Sequence, residues 1–353
     1  MDDEVLRRLP KAVLHDHLDG GLRIGTLLEL ADAHGYDGLP ADDEATLRSR
    51  IHQDESGSLE AYLGAFDHTI AVMQTPAALS RIAYEAIEDL AADGVVYAEV
   101  RFGPALHTRA GLRLEDVIEA VADGVDRGRR ATGMVTGIIV DALRQQPDAD
   151  AVVRSAIRTT GAGVVAFDLS GPELGNPPDA HLAECRLARE SGLGLTLHAG
   201  EGDGPRSIWL AYARCHAQRI GHGVRIIEDT IVRNGEIVRC GELAGTLRNH
   251  RVPLEICQTS NLHTGIATSP GDHPLGLLHR GGFRVTLNTD NRLMSDVTMT
   301  DEFRLAVDHH GFTLEDLETV TVAALEAGFA NWGDRRTLIE DVVRPAYLHA
   351  SMV

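Results

Sequence analysis

Residues 193–201 read Leu-Gly-Leu-Thr-Leu-His-Ala-Gly-Glu, and the organisation of the chain follows from them. Leu193 to Leu197 is a short apolar run beside glycine, the pattern of a strand buried on both faces of a parallel sheet. It runs straight into two groups able to do chemistry, His198 and Glu201. Similar short apolar runs recur on both sides of this one. They lie at Ala12–His15, Val95–Phe102, Val135–Val140, Val164–Leu169, Arg219–Ile220, Leu254–Cys257 and Arg284–Leu287, the Arg219 run being the shortest. Amphipathic stretches such as Leu79–Asp93, Leu114–Thr132 and Ala180–Glu190 alternate with them. Eight strand-then-helix units predict an α/β chain closed into a (β/α)8 TIM barrel, although a doubly wound open sheet would alternate in the same way.

Two segments fall outside the repeat. Ala41–Met73 separates the first two strands and reads as extra helices, with Leu59, Tyr62, Leu63 and Phe66 at helical spacing. From periodicity alone that stripe is a core face. Leu314–Ala350 also reads as helical and is expected to pack outside the barrel. With 353 residues the chain exceeds the roughly 250 of a typical barrel. No linker, low-complexity run or internal repeat divides it, so residues 1–353 are expected to form one domain.

The 33 basic and 53 acidic residues leave a net charge of −20. That argues against nucleic-acid binding, which needs clustered cations to neutralise phosphates. Lys11 is the sole lysine. The first residues, MDDEVLRRLPKAV, contain no apolar core of a secretory signal, and no apolar run approaches the roughly 18 residues of a membrane span. Cys185, Cys215, Cys240 and Cys257 form no C-x-x-C pair and suggest no disulfide framework. Cytoplasmic residence is the expectation.

Polar residues collect where the strands end. His15 and His17 close the first strand in LHDHLDG, His198 and Glu201 the fifth in TLHAGE, His222 the sixth in RIGHG, and Asp290 the eighth in TLNTDN. In an α/β barrel these ends converge on one face. Alternate residues of a strand share a side, so His15 and His17 can address one ion while Asp16 points away. Three imidazoles and one carboxylate, from His15, His17, His198 and Asp290, make a donor set suited to zinc. The zinc deaminases that use H-x-E with P-C-x-x-C are excluded, because the chain has no C-x-x-C. His263 and the His309–His310 pair have no strand-end pattern and read as ordinary core or surface residues.

LHDHLDGGL, SLEAYLGAFD, RIAYEAIEDLAADGVVYAEVRFGP, DLSGPE, TLHAGE, RIGHG, PLEICQTSN and TLNTDN occur in this order from about Lys11 to about Gly311. As a set they resemble the adenosine deaminase family of the amidohydrolase superfamily. The resemblance implies one zinc per chain on His15, His17, His198 and Asp290, and a purine nucleoside as the small-molecule substrate. It also implies that Asp19, with His17 beside it, meets the ribose 5′-hydroxyl, and that the backbone of Gly171 reaches purine N3. Glu201 would face N1, and His222 would flank the attacking water. Leu59, Tyr62, Leu63 and Phe66 resemble the family's hydrophobic lid. Many members carry aspartate after the metal-binding aspartate, where this chain has Asn291. An amide can donate to N7 without a raised pKa, but the change leaves open which adenine nucleoside is preferred.

The chemistry implied is hydrolytic deamination of adenosine and 2′-deoxyadenosine in purine salvage. Zinc lowers the pKa of water toward about 7, Asp290 accepts a proton, Glu201 protonates N1 and His222 stabilises the adduct. Glu201 as a helix cap and Asp19 as a turn residue are the competing structural roles. Asp168 and Glu99, both on strands, suit either the orientation of a metal ligand or a structural ion pair. Three alternatives are weighed. One is another N6-amino purine substrate, such as aminodeoxyfutalosine or adenine. The second is a binuclear amidohydrolase, disfavoured because Lys11 precedes the H-x-H and no other lysine exists to bridge metals. The third is an inactive binding protein, which the complete set of groups argues against.

Overall fold

The computed structural model describes residues 1–54 and 56–352. Its strands are β1 (Lys11–His17), β2 (Val95–Phe102), β3 (Val135–Leu143), β4 (Val164–Ser170), β5 (Gly194–Ala199), β6 (Arg219–His222), β7 (Thr230–Arg233), β8 (Glu236–Cys240), β9 (Pro253–Ile256) and β10 (Arg284–Leu287). Eight of them pair in the order β1-β2-β3-β4-β5-β6-β9-β10, every pair parallel.

The ring shuts through backbone bonds beside the last strand. His17 N–H donates to Asp290 O (2.7 Å), Asp290 N–H donates to His15 O (2.9 Å), and Asp16 forms a lone parallel bridge with Asp290. Leu14 N–H is taken by the side chain of Asn288 at 2.8 Å. This closure decides for the barrel over the open sheet. It also explains why β1 extends past His15 to His17, two residues beyond the apolar run.

β7 and β8 form an antiparallel hairpin apart from the barrel that the reading by apolar runs overlooked. Its signal was present. Asn234-Gly235, with φ of 51° and 76°, is the dipeptide of a tight hairpin turn between β-branched stretches.

Helices occur at Ile24–His34, Glu44–Ile51, Leu59–Leu63 and Phe66–Val72 between β1 and β2, so the extra helices are present and the stripe residues lie on two of them. Helix Leu314–Ala327 packs on β10 and β1. Tyr347, further along the C-terminal helices, bonds Thr321 Oγ1 (3.2 Å) and Pro10 O (3.3 Å). Lys11 Nζ donates to the carbonyls of Arg7, Leu9 and Asp93 at 3.0, 3.1 and 2.7 Å, at the opposite end of β1 from the histidines. The four cysteines are free, and among the described residues no helix is long and apolar enough to cross a membrane.

The barrel interior is charged where most barrels are filled by branched apolar side chains. Arg101 bonds Asp168 (2.6 Å) and Glu255 (2.7 Å), and Arg219 bonds Glu255 and Glu99 (2.6 Å each). Buried ions cost several kcal/mol each unless they are paired, and these are paired on several sides. Burial pushes the Glu255 carboxyl up, but the guanidiniums of Arg101 and Arg219 outweigh it and hold the group well below the usual carboxylate range.

Helices Pro76–Ala92 and Leu114–Thr132 pack closely on the outside. A Cβ on Gly124 would stand 2.1 Å from Ser80 O and 2.8 Å from the Ala83 Cβ. Helix propensity alone predicts that Gly124→Ala stabilises by about 1 kcal/mol. Overpacking against a backbone carbonyl costs about 1–3 kcal/mol and is expected to win. The urea midpoint of G124A should therefore fall at unchanged m-value; a higher midpoint would contradict the tight packing.

Candidate active site

Each reactive side chain is aimed by the end of a strand. In β1, His15 and His17 face inward. Asp16, on the other side, takes Arg292 Nε (2.8 Å) and Thr289 Oγ1 (2.7 Å). His198 ends β5 with its N–H on Asp168 Oδ1 at 3.2 Å. His222 ends β6 and Asp290 follows β10, with φ of 57° and 59°. A left-handed backbone is uncommon outside glycine, and such residues concentrate at functional sites.

The five groups meet. His15 Nε2 lies 3.2 Å and His17 Nε2 3.4 Å from Asp290 Oδ1, and the Nε2 atoms of His17 and His198 are 3.3 Å apart. One donor atom each of His15, His198, His222 and Asp290 falls within 4.8 Å of the other three, and His17 joins through His198 and Asp290. His15 Nε2 is fully buried and has no hydrogen-bond partner. Bare ring nitrogens crowded around one carboxylate oxygen are what a divalent cation requires, so the residues fit a bound metal.

Behind the imidazoles stands a second layer. Glu255 Oε2 is 3.0 Å from His15 Nδ1, Asp168 Oδ2 is 2.9 Å from His198 Nδ1, and Asp141 Oδ2 is 3.5 Å from His17 Nδ1. Asp168 faces His198 and pairs with Arg101, whereas Glu99 pairs with Arg219. His222 differs from the other three, because its Nδ1 faces the Asn261 amide nitrogen at 3.1 Å. Glu255, Asp141 and Asn261 escaped the sequence reading. Glu255 and Asn261 lie within PLEICQTSN, and a lone acid inside an apolar strand was the available signal.

Beside this centre is a cavity of about 270 Å³, near the low end of the roughly 300–1,000 Å³ that small-molecule sites span. His17, His198, His222, Asp290 and Glu201 line one part of it. Asp19, Gly171, Asn291, Leu59, Tyr62, Leu63 and Phe66 line its walls. Glu201 lies 3.4 Å from His222 Nε2, and its other oxygen is buried without a partner. Burial, with Asp290 and Glu173 nearby, pushes the Glu201 carboxyl well above its usual range. Burial likewise pushes the neighbouring His222 imidazole well down. Burial opposes ionisation of Asp290, but the surrounding histidines, His15 first, hold its carboxyl well below the usual range.

Asp19 accepts from Gly103 N–H at 3.4 Å, and its Oδ1 is buried and unpartnered. His107, absent from the sequence reading, lies 3.7 Å from Asp19 Oδ2. Asn291 stacks against Gly20, where any Cβ would come 2.1 Å from Asn291 Oδ1. Tyr62 is buried, and its hydroxyl pairs with Ser295 Oγ at 2.8 Å, a polar anchor within an otherwise apolar wall. His263 and His310 are buried and His309 is exposed, as ordinary residues.

The sequence model of the adenosine deaminase family matches residues 10–345. The chain belongs to the adenosine deaminase family. Relatives bearing that name include the adenosine deaminase of Mycobacterium marinum, 45% identical over 98% of this chain and 97% of that protein. The adenosine deaminase of Mycobacteroides abscessus is 47% identical over 97% and 96%. Among solved structures, the adenine deaminase of Arthrobacter aurescens superposes with a TM-score of 0.86 at 26% identity, covering 98% of this chain and all of that one. Members of this family are metal-dependent aminohydrolases, and the centre formed by the histidines and Asp290 is the matching feature here.

The family motif DLSGPE also holds a positioning group. Glu173 accepts the backbone N–H groups of Gly200 (2.6 Å), Glu201 (3.0 Å) and Asp203 (3.0 Å), which fixes the loop carrying Glu201. Displacing a reacting group by about 1 Å costs about 10²-fold in rate. Glu173→Ala should lower turnover by roughly that factor while leaving the metal content measured by elemental analysis unchanged. Loss of metal together with rate would instead assign Glu173 to the metal centre.

Proposed function

We propose that the chain hydrolyses adenosine, and 2′-deoxyadenosine with it, to inosine or its deoxy analogue and ammonia. It acts as a one-domain, cytoplasmic, one-zinc enzyme of purine salvage. The observation that carries this reading is a buried Glu201, its carboxyl pushed well above the usual range by burial, facing a histidine–aspartate centre across a cavity of nucleoside scale. The reaction needs an acid at one ring nitrogen and a nucleophile at the adjacent carbon.

The second layer supports a choice of ligands. A carboxylate behind Nδ1 takes that proton and leaves Nε2 bare for a cation. His15 and His198 have one in Glu255 and Asp168. Behind His17 stand the carboxyls of Asp141 at 3.5 Å, which burial and Asp168 push up, and Asp19 at 3.8 Å. The His17 Nε2 lies 3.4 Å from Asp290 Oδ1, which completes the set. His222 has an amide donor in that place, so its proton sits on Nε2 and it serves as a hydrogen-bond donor. His17 is therefore a ligand and His222 is not, although His222 belongs to the tightest geometric cluster.

Zinc, when bound, lowers the pKa of water toward about 7 and so makes a nucleophile available at neutral pH. Asp290, ionised, accepts a proton from the attacking water. His222 Nε2–H donates to the oxygen that adds at C6. Glu201 gives its proton to N1, where negative charge would otherwise collect. Asp290 returns its proton to the amino group, ammonia leaves, and Glu201 recovers a proton from the C6 hydroxyl as the carbonyl forms, so that adenosine plus water gives inosine plus ammonia. Asp19 accepts from the ribose 5′-hydroxyl, His17 flanks the same end, Gly171 N–H reaches N3, and the Asn291 amide donates to N7. Leu59, Tyr62, Leu63 and Phe66 cover the base and exclude water. The free Oδ1 of Asp19 favours a nucleoside over adenine, which has no ribose to meet it.

The test is the ultraviolet change from adenosine to inosine with zinc-loaded protein, run beside adenine and aminodeoxyfutalosine. Adenosine is expected to turn over fastest, a chelator should abolish the rate, and Glu201→Gln should lose about 10²–10⁴-fold. Faster deamination of another substrate would reassign the specificity. His17→Ala should lose both zinc and activity, whereas His222→Ala should keep about one zinc per chain and lose activity. The reverse pattern would exchange the roles of the two histidines.

A further inference from the structure

Four histidines crowd one centre that needs three, so something must keep the fourth from becoming a ligand. The Asn261 amide does this only if its nitrogen, and not its oxygen, faces His222. An amide can be turned about to present either atom, and its direction is set by what holds its far end. That partner is His273, in the loop before helix Leu275–Arg280, which belongs to none of the motifs quoted above.

We infer that His273 is a positioning residue that, through Asn261, fixes the proton of His222 on the ring nitrogen facing the reacting atoms. The chain of assignments begins at a group whose direction is beyond choice. The Leu275 backbone N–H, one of the free donors in the first turn of its helix, donates to His273 Nδ1 at 3.1 Å. That nitrogen must be bare. A neutral imidazole then carries its proton on Nε2, which donates to Asn261 Oδ1 at 3.2 Å. With its oxygen engaged, Asn261 offers Nδ2 to His222 Nδ1 at 3.1 Å. His222 therefore holds its proton on Nε2, 3.4 Å from Glu201 Oε2. His273, Asn261 and His222 are 2%, 0% and 1% exposed, so solvent does not compete at any step. Burial, with His310 adjacent, pushes His273 down to about 3, which keeps it in the neutral form the relay requires.

Reversal would have a chemical cost. With Asn261 turned round, its oxygen would accept from His222 Nδ1–H, Nε2 would become bare, and a fourth lone pair would face the centre. His222 would then compete as a ligand and could no longer donate to the oxygen adding at C6. The kinetic part of this inference rests on the adenosine-deaminating reading above, whereas the protonation state does not.

The experiment is ¹⁵N NMR of the zinc-loaded full chain labelled at histidine, with the His222 signals assigned from a His222→Gln variant. Nitrogen shifts separate the two neutral tautomers directly. The wild type should show His222 protonated on Nε2. His273→Leu removes the donor to Asn261 and should shift His222 wholly or partly to the Nδ1–H form. Turnover should fall about 10–100-fold, the scale of lost outer-layer partners at metal sites, with KM within about twofold. His273→Gln, whose amide supplies both an acceptor and a donor, should restore Nε2–H and most of the rate. Asn261→Asp, with only acceptors to offer, should produce the Nδ1–H form even if the leucine variant does not fold. An Nδ1–H His222 in the wild type, or an unchanged Nε2–H form in folded His273→Leu and Asn261→Asp, would overturn the inference. A wild type that keeps the Nε2–H form but ignores adenosine would leave the relay standing and remove only the substrate assignment.

Discussion

Arg101, near the end of β2 and wholly buried, holds Asp168 of β4 at 2.6 Å and Glu255 of β9 at 2.7 Å. Those two carboxylates in turn face the Nδ1 atoms of His198 and His15. A carboxylate can take an imidazole proton and leave the far nitrogen bare only while it is ionised. Inside a barrel, desolvation works against ionisation. The guanidinium resolves that conflict for both groups at once, and its NH2 also donates to Leu14 O, which ties it to the strand carrying His15. Arg219 extends the same arrangement to Glu99 and lies 3.9 Å from the centre of the Phe329 ring. Stability and metal affinity are thus coupled. Replacing Arg101 by an apolar residue would strand two buried acids, and they would regain neutrality by binding protons, which withdraws the support behind the metal-facing nitrogens.

The same economy governs closure. Asp290 completes the ring of strands with its backbone and brings its side chain to the histidines, and it holds a left-handed conformation while doing so. Ser260 Oγ fixes its second oxygen at 2.6 Å, leaving Oδ1 toward the histidines. Because the backbone of Asp290 bonds the residues on either side of Asp16, the positions of His15, His17 and Asp290 move together. A distortion at the seam of the barrel would therefore reach the metal centre before it reached the outer helices.

How much of this could be read in advance depended on contrast. A histidine or aspartate ending an apolar run stands out, so His15, His17, His198, His222 and Asp290 were legible, and the converging strand ends of a barrel brought them together. The extra helices and the apolar wall from Leu59 to Phe66 were visible by periodicity. Closure was not, since it rests on a few backbone bonds at Asp290 and alternation is equally consistent with an open sheet. Glu255 and Asp141 sit within strands whose inward positions are expected to be apolar. Their surroundings appear only in the folded barrel, where Arg101 pairs with Glu255 and Asp141 faces His17. Asn261 and His273 were less legible still, because the meaning of each depends on which atom of the other it faces.

In the proposed reading, that dependence gives two similar histidines at one site different chemistry. His17 and His222 both end a barrel strand, both face Asp290, and both are buried. Their residue type does not separate them, and proximity alone would choose His222. In the proposed reading they differ in the group at the rear of the ring, the carboxyls of Asp141 and Asp19 for His17 and the Asn261 amide donor for His222. An acceptor behind the ring leaves the front nitrogen bare and able to bind a cation; a donor behind it makes the front nitrogen a hydrogen-bond donor. On that reading the assignment of ligand and hydrogen-bond donor rests with the residues behind the rings, and it is transmitted by the position of single protons between buried side chains.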